Sequence, residues 1–289
     1  MLEEVNLELW IIFTLIYGIL KGAREPIKKS ILRGVGVLPA LFAYTFIGFL
    51  MSVPFARGIF SFPPRLFFFI ALKAGVLVFA WLLSFKGIRK IPVSVYGICD
   101  MSRVIFSTLL GVAFLGESLT AKGIVSLALV AVGLYFANQK KAAANEGYQI
   151  RYVWYILLSC FLNGISGILD KYIMATGEIT SSALQFWFML FLSMFYLIYM
   201  LATREKLELK KSFSNPLVYL LSFLLIFGDR LIFVANADSG SQVTIMTILK
   251  QSSAVVTIVL GKLIYKEKNI AKKLACALVI ILGIVLSVS

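Results

Sequence analysis

The amino-acid sequence predicts an all-α integral membrane protein, with ten transmembrane helices forming two inverted five-helix repeats around a central cavity. Three observations predict this. The 289 residues are 60% hydrophobic and 15% charged, where a soluble domain carries about 25% charged residues, and the mean hydropathy is +0.94. Apolar runs of helical length recur between short polar breaks. The second half also echoes the first.

A bilayer core about 30 Å thick takes about 20 helical residues. Ten runs fit: 8–30, 35–56, 64–86, 92–115, 119–138, 152–176, 180–202, 215–237, 241–264 and 272–288. The breaks carry the turn and charge signals expected between spans, among them Arg57 through Pro64, Arg89 to Pro92, Gly116-Glu117, Lys140 to Gly147 and Lys266 to Asn269. The amino-terminal flank holds Glu3, Glu4 and Glu8, the wrong sign for a secretory signal. Loops are numbered here by the helices they join. Eighteen of the 28 basic residues fall in the odd loops and three in the even loops, which places the odd loops in the cytoplasm and both chain ends outside. The net charge of +14 is then read as loops beside anionic lipid, not as a nucleic-acid footprint. The expected setting is the inner, cytoplasmic membrane of the cell, spanned many times.

Laid at an offset of 150, residues 92–138 match 242–288 at nine of 47 positions, including Ser102/Ser252, Gly111/Gly261, Glu117/Glu267, Lys122/Lys272 and Gly133/Gly283. Tyr17-Gly18 and Asn163-Gly164 hold like places in the first span of each half. The halves are 1–145 and 146–289. Five spans is an odd number, so the second copy must cross in the opposite sense, an arrangement associated with alternating access.

Phe114-Leu115-Gly116-Glu117-Ser118-Leu119-Thr120 followed by Gly123 and Gly133, then Tyr265-Lys266-Glu267 followed by Gly283, resembles the EamA-like branch of the drug/metabolite transporter superfamily, as does the Ile91-Pro92-Val93-Ser94 entry to span four. Lys266 departs from that pattern where the first copy has Gly116. The resemblance implies movement of small metabolites by alternating access and a cavity lined by spans 1, 3, 4, 6, 8 and 9. It also implies both ends in the cytoplasm, against the basic-residue count.

A charge at the bilayer centre costs about 2.5–3.5 kcal/mol on insertion scales, so it faces protein or water. The charged residues in span interiors are Lys21, Arg24, Glu25, Lys73, Asp100, Arg103, Asp170, Lys171, Asp229, Arg230 and Lys250, and the interiors of spans 2, 5, 7 and 10 have none. Six helices are thus expected to face a wet interior and four to face lipid. Lys73, Asp100 and Lys250 lie about 12–14 Å deep, near the midplane. Asp100 and Lys250 are repeat equivalents, expected to meet as a gate, a substrate clamp or a structural pair. Arg24 with Glu25 and Asp170 with Lys171 read as end charges or ion pairs, and Asp229-Arg230 as intermediate. Pairing every acid leaves three surplus cations, and snorkelling of Lys21 leaves about two, which favours an anionic or zwitterionic solute. A cationic metabolite or drug is the alternative.

The expected substrate-binding set is Lys73, Asp100, Arg103, Asp229 and Lys250, with Tyr96, Trp81, Asn236 and Gln251 (and Thr247) supplying hydrogen bonds or stacking. Arg24, Glu25, Asp170 and Arg230 are expected to gate or pair. Gly18, Gly164 and Gly167 read as close-packing positions. Trp10, Tyr152, Trp154, Tyr155 and Tyr265 read as interface aromatics, and Cys99, Cys160 and Cys276 as buried apolar residues. The absence of histidine removes histidine-ligated metals. With no Walker A loop, GxSxG or HExxH, neither ATP hydrolysis nor other hydrolytic chemistry is indicated. No cofactor, metal or nucleic-acid partner is expected. Coupling to protons (through Asp100 or Asp229) or to a counter-substrate stays open, and a monomer or weak dimer is expected. A membrane-embedded lipid-modifying enzyme, a channel and a receptor are the rival readings.

Overall fold

The computed structural model describes the whole chain except residues 1, 57, 116–119, 140–143, 145, 204–208, 238–245, 247–248 and 289, with side chains undescribed also at 2–8, 115, 171, 236–237 and 287–288. Among the described residues there is no strand. Helices occupy most of the expected segments, the first part of the expected span 241–264 lying largely outside the described residues: α1 (Leu2–Ile31), α2 (Val37–Ser52, continued by a 3-10 turn Val53–Phe55), α3 (Arg65–Lys90), α4 (Val93–Asp100), α5 (Arg103–Leu115) and α6 (Ala121–Ala137) in the first half. In the second half they are α7 (Arg151–Ala175), α8 (Ser181–Thr203), the short α9 (Leu209–Phe213), α10 (Pro216–Ala237), α11 (Ser252–Tyr265) and α12 (Ile270–Val288). Among the described residues, six helical segments are long and apolar enough to cross a membrane: Val37–Phe55, Arg65–Lys90, Val93–Phe114, Arg151–Ala175, Ser181–Thr203 and Pro216–Ala235. The shorter Ala121–Ala137 and Ser252–Tyr265 are also apolar.

Local chemistry sets the helix starts. The Thr120 hydroxyl accepts from the Gly123 N–H at 3.1 Å and opens α6. Thr180 accepts from Ala183 at 3.2 Å ahead of α8, and Asn215 from Leu217 at 3.0 Å at α10. Each satisfies a donor that the first turn leaves without a partner. The Pro92 that begins α4 has no side-chain cap of its own, and its donors are met from the other half, as described below.

Span four is broken. At Met101 and Ser102, between α4 and α5, the N–H groups turn back three residues rather than four, to Ile98 and Cys99, while Met101 keeps right-handed helical dihedrals. Span nine breaks at Gln251, immediately before Ser252, the repeat equivalent of Ser102. Both breaks lie in the middle of an apolar run, and sequence periodicity gave no sign of either.

Most of the closest helix pairings among the described residues recur under exchange of the two halves. α1 packs on α10 as α7 packs on α3; α1 packs on α11 as α7 packs on α5; α2 packs on α10 as α8 packs on α3. The pairs α2–α8 and α6–α12 map onto themselves, whereas the counterpart of α4–α11 is α5 with residues 243–250, most of which lie outside the described residues. Between α6 and α12 a Cβ on Gly133 would lie 3.1 Å from the Cys276 carbonyl oxygen, and one on Gly283 would lie 3.1 Å from that of Ser126. Cys276 is the repeat equivalent of Ser126. The contacts are reciprocal, and α6 and α12 run antiparallel. Gly18 and Gly164 also pack closely, against Ser252 and Leu110, whereas Gly167 faces open space.

Odd loops share one face. Lys29 reaches the Ile91 carbonyl at 2.5 Å, Glu267 reaches the start of α4, and Glu146 pairs with Lys273 at 2.7 Å. On the other face Arg65 pairs with Glu178, and the Trp187 indole donates to Ile59. Trp154 is exposed as an interface aromatic should be, but Trp10 is 1% exposed, packed with Ile232, Ala235 and Met246. It is a core residue, because the first half of α1 lies against α10. The three cysteines are free and buried.

Candidate functional site

A cavity of about 500 Å³ lies among the spans, within the size range of small-molecule sites. Its charged wall comprises Lys21, Arg24 and Glu25 with Lys28 from α1, Lys73 from α3, Asp100 and Arg103 flanking the break in span four, Asp170 from α7 and Asp229 from α10. Trp81, Ser84, Phe85 and Tyr96 form an aromatic and hydroxyl-bearing side, with the Ser84 and Tyr96 hydroxyls 2.7 Å apart. Asn163, Ser166 and Gln251 complete the polar lining.

Most of these charges are closed into contacts. Asp100 is held from both sides, by Lys21 at 3.0 Å and Arg103 at 2.9 Å. Asp100 ends α4 and Arg103 begins α5, so this pair spans the break. Lys73, 6% exposed, pairs with Asp170 at 2.6 Å, donates to Ser166 at 2.9 Å and stands 4.7 Å from the Phe188 ring. Glu25 pairs with Lys28 at 2.8 Å. A buried charge without a partner costs several kcal/mol, so these contacts make a charged chamber tolerable inside an apolar protein.

On the odd-loop face the cavity is sealed. The Tyr265 hydroxyl donates to the Pro26 carbonyl at 2.7 Å and lies 2.7 Å from the Ser30 hydroxyl, while Arg33 stacks 4.7 Å from its ring. Tyr265 therefore holds a closure between halves and is not an interface aromatic. Toward the even-loop face Ser107 and Gly167 are exposed, and the Asp170 carboxylate is 43% exposed.

The structure brings Lys73, Asp100, Arg103, Asp229, Tyr96, Trp81 and Gln251 together on the wall, along with Arg24, Glu25 and Asp170. It does not bring Asp100 to Lys250. Lys21 of α1 occupies that position, since α1 lies against α11 as well as α10, and Lys250 is absent from the wall. Repeat equivalence fixes depth but not the direction in which a side chain leaves its helix. Arg230, one residue past Asp229, points away, to the Ser182 hydroxyl at 2.6 Å and the Phe55 ring. The side chains of Asn236 and Lys171, and residue Thr247, lie outside the described parts.

Three further expectations are corrected. Arg24 and Glu25 do not pair with each other; Glu25 takes Lys28 one turn on. Asp170 is no end charge, because Lys73 reaches it across from α3. Spans two and seven are not purely lipid-facing: α2 lies between α8 and α10 and contributes Tyr44, and α8 contributes Phe188. The cation surplus also shrinks. Five cations and four carboxylates line the cavity, because Lys21 pairs with Asp100 rather than snorkelling. The contributions of Tyr44, Phe188 and Lys28 escaped the sequence because aromatics in an apolar helix carry no directional signal and Lys28 reads as a loop cation.

No curated protein matches the chain. Among 26 matching chains of solved structures, one crystal structure is 13% identical, with a TM-score of 0.65 over 95% of each chain; at that identity the likeness is one of fold. The EamA-like transporter family matches twice, over residues 8–139 and 150–289. Two tandem matches covering nearly every residue agree with the paired helix contacts and the charged central cavity, and on that evidence the chain belongs to the EamA-like transporter family of membrane transporters.

Proposed function

We propose that the protein is a secondary transporter that moves a small polar solute, anionic or zwitterionic, across the membrane by alternating access. The observation that carries this is the cavity of about 500 Å³ whose nine charged groups come from five spans drawn from both halves. Such a chamber binds solute where relative motion of the halves exposes it to each side in turn. The halves are 1–145 and 146–289, ten spans in two inverted copies. The reciprocal Gly133 and Gly283 contacts support the inversion, because a two-fold axis across antiparallel helices generates them. With the basic odd loops in the cytoplasm of a cell whose inner membrane it spans, the sealed face is cytoplasmic and the cavity favours the outside.

Binding energy comes from the charged wall, and the aromatic side excludes water from the solute's apolar part. Neither step needs a cofactor, and the ordering of the cavity by ion pairs limits the reorganisation that binding requires. A panel of amino acids, phosphate esters, carboxylates and quaternary amines, screened by thermal shift, identifies solutes that bind the folded form. Stabilising solutes should then show counterflow in proteoliposomes, with uptake that saturates. Binding without counterflow, or flux that never saturates, would count against a carrier.

A further inference from the structure

Seven of the nine charges on the cavity wall close on one another: Lys21, Asp100 and Arg103; Glu25 and Lys28; Lys73 and Asp170. Arg24 and Asp229 remain. Among the described residues neither has an ion pair within 4.0 Å. They face the same chamber from α1 and α10, which pack together, and their charges influence each other. Arg24 is 7% exposed, and its Nε has no hydrogen-bond partner. Next to Asp229 lies Gln185, 4% exposed, close enough for its amide to support that carboxylate. Buried polar atoms are seldom left unpaired without a reason.

The repeat sharpens the contrast. Aligning Gly18 with Gly164 matches Arg24 to Asp170, and the α3–α7 pair is the counterpart of α1–α10. In the first pair Lys73 and Asp170 close to 2.6 Å beside Phe188. In the second the charges are exchanged between the halves, Tyr44 stands beside Arg24, and the pair stays open. One of two related stations is filled by the protein's own ions, and the other is not.

We propose that Arg24 and Asp229 hold the two ends of a zwitterion, a small solute with one carboxylate and one ammonium group. The carboxylate meets the Arg24 guanidinium and the Tyr44 hydroxyl; the ammonium meets Asp229, backed by Gln185. A simple anion leaves Asp229 facing its charge, and a simple cation leaves Arg24 doing so. This assignment rests on the transporter reading and narrows its solute class.

The test uses purified full-length protein and calorimetry with glycine, alanine, leucine and phenylalanine. Each is compared with its amide, which keeps only the ammonium, and its desamino acid, which keeps only the carboxylate. At least one amino acid should bind, with both of its analogues weaker by at least about tenfold. Asp229→Asn should abolish the preference over the desamino acid, and Arg24→Gln the preference over the amide. The analogue comparison stands on the unaltered protein even where a variant fails to fold. Absence of binding by all four amino acids, an analogue within about threefold, or preferences that survive both substitutions would overturn the assignment. Counterflow of a singly charged solute would leave the transporter reading intact while excluding the zwitterion; absence of any counterflow would remove the transporter reading itself.

Discussion

Glu267, on the turn between α11 and α12, caps α4 of the opposite half through Ser94. Its Oε2 accepts from the Ser94 N–H at 3.0 Å and from the Ser94 hydroxyl, and its Oε1 accepts from the Val93 N–H at 2.5 Å. A carboxylate at a helix N-terminus meets orphan donors and the positive end of the dipole together. Gly261 makes the approach possible, since a Cβ there would stand 2.9 Å from Glu267 Oε2.

Glu267→Gln should therefore loosen the sealed face. A charge-assisted cap contributes about 1.5–3 kcal/mol, enough to shift the closed-to-open balance by about tenfold or more. A cysteine at Ser84, in a background lacking Cys99, Cys160 and Cys276, should react that much faster with an impermeant maleimide applied to the odd-loop face. Gly261→Ala should act in the same direction. Unchanged labelling in both would remove Glu267 from the gate.

Removing either end of the Lys73–Asp170 pair should have unequal effects. Asp170→Asn strands a lysine whose side chain is 8% exposed, whereas Lys73→Met strands a carboxylate that is 43% exposed. The first should cost about 3 kcal/mol and the second about 1 kcal/mol, because water screens the remaining charge. Chemical denaturation in detergent compares them, and the double variant should recover part of the first loss.

Gly133→Leu and Gly283→Leu should destabilise by similar amounts, about 1–3 kcal/mol each, because the two contacts are reciprocal. Thermal unfolding of both variants checks this. A loss confined to one glycine would show that the α6–α12 contact is not symmetric in solution.

Asp100→Asn and Lys250→Ala should separate cleanly. The first removes the common partner of Lys21 and Arg103 at the break in span four and should reduce solute binding at least about tenfold, as expected when two buried cations lose their carboxylate. Lys250 does not line the cavity, so its replacement should change binding by less than about twofold, in line with substitutions away from a site. Calorimetry with the solute found by thermal shift measures both.

The spans, the repeat and most charged wall residues were legible because each leaves a one-dimensional trace: an apolar run, a matched Glu at a turn, a charge where none is cheap. Partner choice was not. Asp100 was expected beside Lys250 because both sit at equal depth in equivalent helices, yet Lys21 arrives from α1, whose packing against both α10 and α11 leaves no mark in sequence. Arg230 and Asp229 are neighbours in the chain and part company because successive residues on a helix leave it about 100° apart. The Glu267 cap was half visible: the residue stood out through its match to Glu117, but its role needed the start of α4 in space.

The five-to-four balance of charges lining the chamber bears on energetics during turnover. Carrying one elementary charge through a 100 mV potential is worth about 2.3 kcal/mol. A carrier whose moving parts hold seven mutually neutralised or nearly neutralised groups, plus one opposed pair, presents at most about one net charge to that field. In the proposed carrier the empty return stroke is therefore only weakly electrogenic, and a cargo of zero net charge adds nothing to the work, so voltage would be a poor lever on its direction and solute gradients a good one.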